Sequence, residues 1–119
     1  MRALKFRAWD ESLKEMISWE DMLNDIELKH FILNQKSNVC PIEQFTNIKD
    51  SKGIDIYEND IIKYTQHHFN TDLLTTKYKI VEFYYDRWNI YATNAGESDI
   101  EVIGNIHENQ DLLNNINLI

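Results

Sequence analysis

The chain has little of what most binding and catalytic signatures are made from. Its 119 residues include three glycines, one proline and one cysteine. With so few glycines, spread over Gly53, Gly96 and Gly104, neither a glycine-rich phosphate loop nor a nucleophile elbow is present, and nucleotide-dependent enzymes fall in standing. Cys40 has no partner for an internal disulfide and no neighbours at metal-binding spacing, so it reads as a buried thiol in a reducing compartment. Long apolar runs are missing too. No segment approaches the roughly 18 residues that cross a bilayer, and the start, "MRALKFRAWDE", lacks the seven or so apolar residues of a signal sequence. The expected location is the cytoplasm, with no membrane partner.

Positive charge is the other deficit: 12 Lys and Arg face 20 Asp and Glu, for a net charge of −8. Residues 86–119 carry six acids against Arg87 alone. Wrapping a phosphate backbone depends on clustered cations that release counterions, so non-specific nucleic-acid binding is disfavoured, although a local basic patch is not excluded. An acidic surface suits a basic partner, or simply solubility.

What the chain does have is a core and a β pattern. Hydrophobic residues make up 43%, among them five Phe, six Tyr and three Trp. That length and composition suit one domain. Arg2 to Trp9 alternates, with Leu4, Phe6 and Ala8 on one face and Lys5, Arg7 and Trp9 on the other, as in a half-buried strand. Asp10 to Lys14 reads as a turn, Met16 to Trp19 as a short strand and Trp19 to Asp25 as one helical turn. Strands follow at His30 to Asn34 and Val39 to Phe45, with Pro41 confined to a strand start, bulge or edge because it lacks a donor. Asp60 to Thr65 reads as another strand, and the polar "QHHFNTDLLTTK" as a mobile loop. Lys77 to Tyr85 and Trp88 to Ala92 form a hairpin if Asp86 and Arg87 make its tip, pairing Phe83 with Ile90 and Tyr85 with Trp88. In Asp99 to Ile106, Gly104 marks a bulge or a close backbone approach. Asn109 is placed to cap a short helix through Leu113. The sum is a mainly β domain with minor helix, a twisted, partly barrel-like antiparallel sheet.

Few constellations carry chemistry. Glu27-Leu28-Lys29 has the carboxylate-x-lysine spacing of metal-dependent nucleases, with Asp10, Asp21 or Asp25 as a second ligand, yet so short a pattern is expected by chance in an acidic chain. His67 and His68 with Asp72 have the right donors for a metal, but adjacent histidines on a strand point to opposite faces and no further ligands recur. His30 and His107 stand alone. Tyr84 and Tyr91, on the hairpin face shared with Glu82 and Asn89, are candidate partner contacts, either packing against another subunit or stacking on bases. Lys5, Arg7, Lys49 and Lys52 are the best basic candidates. No catalytic residue, cofactor or metal site is assigned from these residues.

Three stretches, "ALKFRAWDESLKEMI", "FTNIKDSKGIDIYENDIIKY" and "DIEVIGNIHENQDLL", resemble the YopX family of small phage and prophage proteins, in order from about Leu4 to Leu113. The resemblance implies a mainly β fold made inside a bacterial host, and brings no enzymatic activity, cofactor or catalytic residue. Phage context implies a prior for binding: to itself as a homo-oligomer, to a host or phage protein, or, as an alternative, to nucleic acid as a modulator. Where the family usually has Gly, this chain has Asn47 in "TNIKD" and Asn59 in "YEND". Asn visits left-handed backbone readily, so φ > 0 is expected at both, and Gly53 is expected to close the "KDSKG" turn in the same way.

Overall fold

A computed structural model of the chain describes residues 3–25, 27, 42–67, 72–84, 87–92 and 99–116; the side chains at 67, 84, 91 and 92 lie outside the described part. The protein is mainly β with antiparallel pairing, and the chain forms two compact units, residues 1–45 and 46–119.

In the first unit, β1 (Phe6–Asp10) lies between β2 (Glu15–Ile17) and the start of β3 (Ile42–Lys49). The β1–β2 turn forms because Asp10 Oδ1 accepts from the backbone N–H groups of Ser12, at 2.9 Å, and Leu13, at 3.1 Å. Lys14 then takes a left-handed φ of 57° and returns the chain in register, Asp10 opposite Glu15 and Ala8 opposite Ile17. Ser18 caps helix α1 (Trp19–Asn24) by accepting from Asp21 N at 3.1 Å, and Glu20 and Asp21 sit in the first turn, where the helix dipole favours negative charge. Ala8 and Met22 form the buried apolar cluster, with Ile17 and Trp19 packed against it. Trp9, expected on the polar face of its strand, is buried, and its indole donates to Glu11 Oε2 at 2.7 Å. Arg7 shares that face and is also drawn inward, pairing at 2.9 Å with Glu43, which is 1% exposed.

β3 does not stop at Phe45 as the pattern suggested. It continues to Lys49, and Asn47, at φ 67°, bends the strand without ending it. Thr46 makes this possible: its hydroxyl accepts from Ile48 N at 3.1 Å and donates to Ile56 O at 2.7 Å, replacing backbone bonds that the bend disrupts. The expected strand His30 to Asn34 and the start of the next, at Val39 to Pro41, lie outside the described residues.

The second unit is organised around β5 (Asp60–His67), hydrogen-bonded to β6 (Leu74–Ile80) on one side and β9 (Ile100–Asn105) on the other, with β4 (Asp55–Tyr57) beside β3. Ile62 and Tyr64 alternate inward from β5 and meet Val102 and Ile100 across the ladder. With Ile48, Ile56, Val81, Trp88 and Ile90 they make the main core. Each such side chain stabilises the fold by about 1.5–3 kcal/mol on burial.

Two expectations fail here for identifiable reasons. Much of "QHHFNTDLLTTK" is strand: Gln66 pairs with Thr75 and His67 with Leu74, because residues whose side chains flank a ladder edge need not be apolar. The hairpin is also displaced. β7 (Phe83–Tyr84) pairs with β8 (Arg87–Trp88) as Phe83 opposite Trp88 and Tyr84 opposite Arg87, so its centre is one residue earlier than Asp86-Arg87. Residues 89–92 form a 3-10 helix instead of a strand. Asn89 enforces this: it accepts from Glu82 N at 3.0 Å and donates to Ile80 O at 2.8 Å, binding the hairpin's base before the strand can continue. The shorter hairpin stacks Phe83 edge-on against Trp88, with ring centroids 5.0 Å apart.

Candidate functional site

The three stretches that carry the family resemblance contain many polar residues, and in the second unit the structure spends them on turns. Asp50 is buried and accepts three backbone N–H groups: Lys52 at 2.8 Å, Ile54 at 2.9 Å, and Val102 of β9 at 2.9 Å. Burial alone would raise its pKa, but the bonds from Val102, Ile54 and Lys52, with the Lys52 charge, outweigh burial and hold the carboxyl below its ordinary value. Gly53, at φ 80°, closes the same turn by donating to Asp50 O at 3.0 Å. At the next corner Asp60 Oδ2 accepts from Tyr57 N at 2.8 Å while Asn59 stands at φ 68°.

Gly104 marks both a bulge and a close approach. Ile61 faces Gly104 and Ile62 faces Val102, leaving Ile103 as the extra residue of β9. A Cβ on Gly104 would lie 2.5 Å from Asn109 Oδ1, an atom that accepts from Asn105 N at 3.1 Å. Asn109 therefore precedes helix α2 (Gln110–Asn115) without capping it through its side chain, contrary to expectation, because the side chain is committed to Asn105. Asn105 in turn accepts from His107 N and Glu108 N, at 3.0 and 2.9 Å.

The basic candidates are also engaged. Lys5 lies over the Phe45 ring at 4.3 Å and Arg7 pairs with Glu43. Lys49 pairs with Asp55 at 2.9 Å, and Lys52 with Glu101 at 3.0 Å, a hydrogen bond that raises the Lys52 pKa. Lys79 sits half-buried with its Nζ 5.7 Å from the Tyr64 ring centroid; burial lowers the lysine pKa and raises that of the tyrosine.

The remaining sequence candidates do not converge. Glu27 is exposed and outside the residues lining the cleft described below, and Lys29 lies outside the described residues. His68 and the His67 side chain are likewise outside them, and Asp72 is exposed. Tyr84 belongs to β7 and Tyr91 to the 3-10 helix, so the single strand-pair face assigned to them is not formed, and their side chains lie outside the described part. Among the described residues no group of three or more His, Cys, Asp or Glu is placed to hold a metal ion.

The described residues of the first unit form a concavity. A cleft of about 500 Å³ is lined by Asp10 at the end of β1, Glu15, Met16 and Ile17 of β2, and Asp21, Asn24 and Asp25 of the helix, with Leu13 from the turn. Leu13 is 67% exposed. Asp10, Asp21 and Asp25, weighed singly from the sequence as ligands, are brought together here, while Glu15 and the apolar lining were missed. The alternation at Glu15 to Ile17 is too short to reveal which side chains border a cavity. Among the described residues no lining residue is cationic. Lys14, beside it in the turn, pairs with Glu11.

The comparisons agree with this architecture. The family model described as YopX protein matches residues 5–114. The crystal structure of protein EF1440 from Enterococcus faecalis is similar to this chain with a TM-score of 0.62 and 24% identity, covering 95% of this chain and 99% of that one. At that identity the likeness establishes a shared mainly β fold. A comparison with curated proteins returned no match. No helix among the described residues is long and apolar enough to cross a membrane. Matched from its first strand to its last helix, the chain belongs to the YopX family.

Proposed function

We propose that this protein is a phage or prophage accessory protein, made in a bacterial host, that acts by binding other proteins, both itself and a host or phage partner, and not by catalysis. The observation that carries this reading is the acidic cleft of the first unit, open to solvent and bordered by the exposed Leu13, on a unit that also exposes Leu4 and Leu23. Apolar groups presented beside a concavity favour macromolecular contact. The polar residues of the second unit support the same reading from the other side, since Asp50, Asp60, Asn105 and Asn109 are held in turns. Nucleic acid is the weaker partner class, because Lys5, Arg7, Lys49 and Lys52 each have an intramolecular partner.

Affinity capture from host cells carrying the phage, reconstitution of each captured protein with the purified chain, and native mass measurement test the proposal. A reconstituted complex of micromolar affinity or tighter supports it. A monomer with no reconstitutable partner overturns it, as does a nucleic-acid complex that weakens steeply with salt.

A further inference from the structure

We infer that the protein pairs with a second copy of itself along the outer edge of β6, antiparallel about a two-fold axis at Thr76; this rests on the self-binding part of the reading above. The sheet of the second unit has the order β6-β5-β9, so β6 and β9 are its edges. The β9 edge is covered, because Val102 N donates to Asp50 Oδ2 at 2.9 Å and Ser51 N to Ile100 O at 2.8 Å. The seven residues of β6 have no such cover among the described residues.

Val81 N donates to Asp60 O at 2.8 Å, and backbone groups alternate between the two sides of a strand. Thr75, Lys77 and Lys79 therefore turn their N–H and C=O toward β5, and Leu74, Thr76, Tyr78 and Ile80 turn theirs away. Ile80 O agrees with this direction, since it accepts from Asn89 and not from β5. Among the described residues the outward groups of Leu74, Thr76 and Tyr78 have no partner. A row of this kind is a template for a further strand.

The side chains of β6 select both the occupant and its register. With Thr76 opposite Thr76 of the second copy, the outward residues face one another as hydrogen bonding requires, and Leu74 meets Tyr78, Thr75 meets Lys77 and Leu73 meets Lys79. Threonine pairs and aromatic-aliphatic pairs stabilise adjacent strands. Leu73 and Leu74, 60% and 55% exposed, gain cover, the former from a lysine stem. A centre at Lys77 or Lys79 would set that lysine against itself, and a centre at Tyr78 would set Lys77 against Lys79; like charges so placed repel. A centre at Thr75 pairs only residues 74–76 within the strand. The two lysines thus close the edge to other registers and leave this one open.

Sedimentation of the full chain over a range of concentrations tests this, with dimer expected for the wild type. Thr76→Pro removes an N–H that points away from β5, a change that edge strands tolerate, and is expected to raise the dimer dissociation constant at least about tenfold. Thr76→Lys, at an exposed side chain, sets like charges opposite at the axis and is expected to do the same, so the test does not depend on the proline variant folding. Ile54→Lys, also at an exposed side chain but outside β6, is the control expected to leave the dimer unchanged. In a Cys40→Ser background, Thr76→Cys is expected to form an interchain disulfide, because hydrogen-bonded partners stand about 5.5 Å apart at Cα. Lys77→Cys is expected not to, since its own copy lies on the diagonal at about 7–8 Å.

A dimer that Thr76→Pro and Thr76→Lys both leave intact refutes the β6 edge alone and keeps the self-binding reading. Cross-linking through Lys77→Cys in place of Thr76→Cys likewise overturns the inference, by placing the axis one residue on. A wild-type chain that stays monomeric at every concentration refutes self-binding itself, and the inference with it.

Discussion

The two units of this chain are stabilised in different ways. The second gathers Ile48, Ile56, Ile62, Tyr64, Val81, Trp88, Ile90 and Ile100 into one core and satisfies its buried polar groups with its own turns. The first has Ala8 and Met22 as its buried apolar cluster, seats a buried ion pair between Arg7 and Glu43, and lines an open cleft with four carboxylates, one of which, Asp10, also holds the β1–β2 turn. The contrast shows why a signature motif is a poor guide to a binding site here. "FTNIKDSKGIDIYENDIIKY" marks the family because its polar residues hold corners of the sheet.

Glu43→Ala strikes the first unit hardest. It removes the buried carboxylate that pairs with the Arg7 guanidinium, 13% exposed, and is expected to cost about 3–5 kcal/mol in urea denaturation. Hydrogen exchange then sharpens the comparison: the amides of β1 are expected to lose protection while those of β5 keep theirs. Simultaneous loss in both would show that the two units share one stability. Ile62→Ala is the matching blow to the second core, at about 2–5 kcal/mol.

Asp50→Asn comes next, at about 1–3 kcal/mol, because an amide places a donor where the carboxylate accepts from three N–H groups. The wild type also acquires a pH dependence here. Its folded carboxyl titrates below the unfolded value of 3.8, so the stabilisation is complete above that pH and is lost as pH falls through the lower folded pKa. The variant is expected to lack this part of the acid transition, and an unchanged acid limb would remove the role given to Asp50.

The smallest effects test backbone. Both units use left-handed residues, but the second places Asn47 and Asn59 there and the first Lys14. Lys14→Gly is therefore expected to stabilise by about 1 kcal/mol, and Asn59→Ala to destabilise by about as much. Equal and opposite thermal shifts would fit; a destabilised Lys14→Gly would show that its pairing with Glu11 outweighs the backbone term.

How far the sequence could be read depended on how local each cause was. The turn at 10–14, the helix after Ser18 and the strand from Asp60 follow from residues close in sequence, and each is found near its expected place. Trp9 could not be placed by alternation, because both faces of β1 bury side chains, and Arg7 turns inward only because Glu43 arrives 36 residues later. The hairpin centre moved for a similar reason: Asn89 ties back to Ile80 and Glu82, a contact invisible to cross-strand pairing rules.

Of the candidate site, Asp10, Asp21 and Asp25 were legible as acids and not as neighbours. Their convergence with Glu15 and Leu13 needs a strand, a turn and a helix folded onto one another. By itself the sequence determined the family, the mainly β class, the acidic balance and the conformations at Asn47, Gly53 and Asn59, since these depend on composition, local backbone energetics and contiguous pattern. Only the tertiary structure decided which charges meet in turns and ion pairs and which line a cleft, because partners such as Asp50 and Val102, or Arg7 and Glu43, are distant in the chain and meet only when the strands pair.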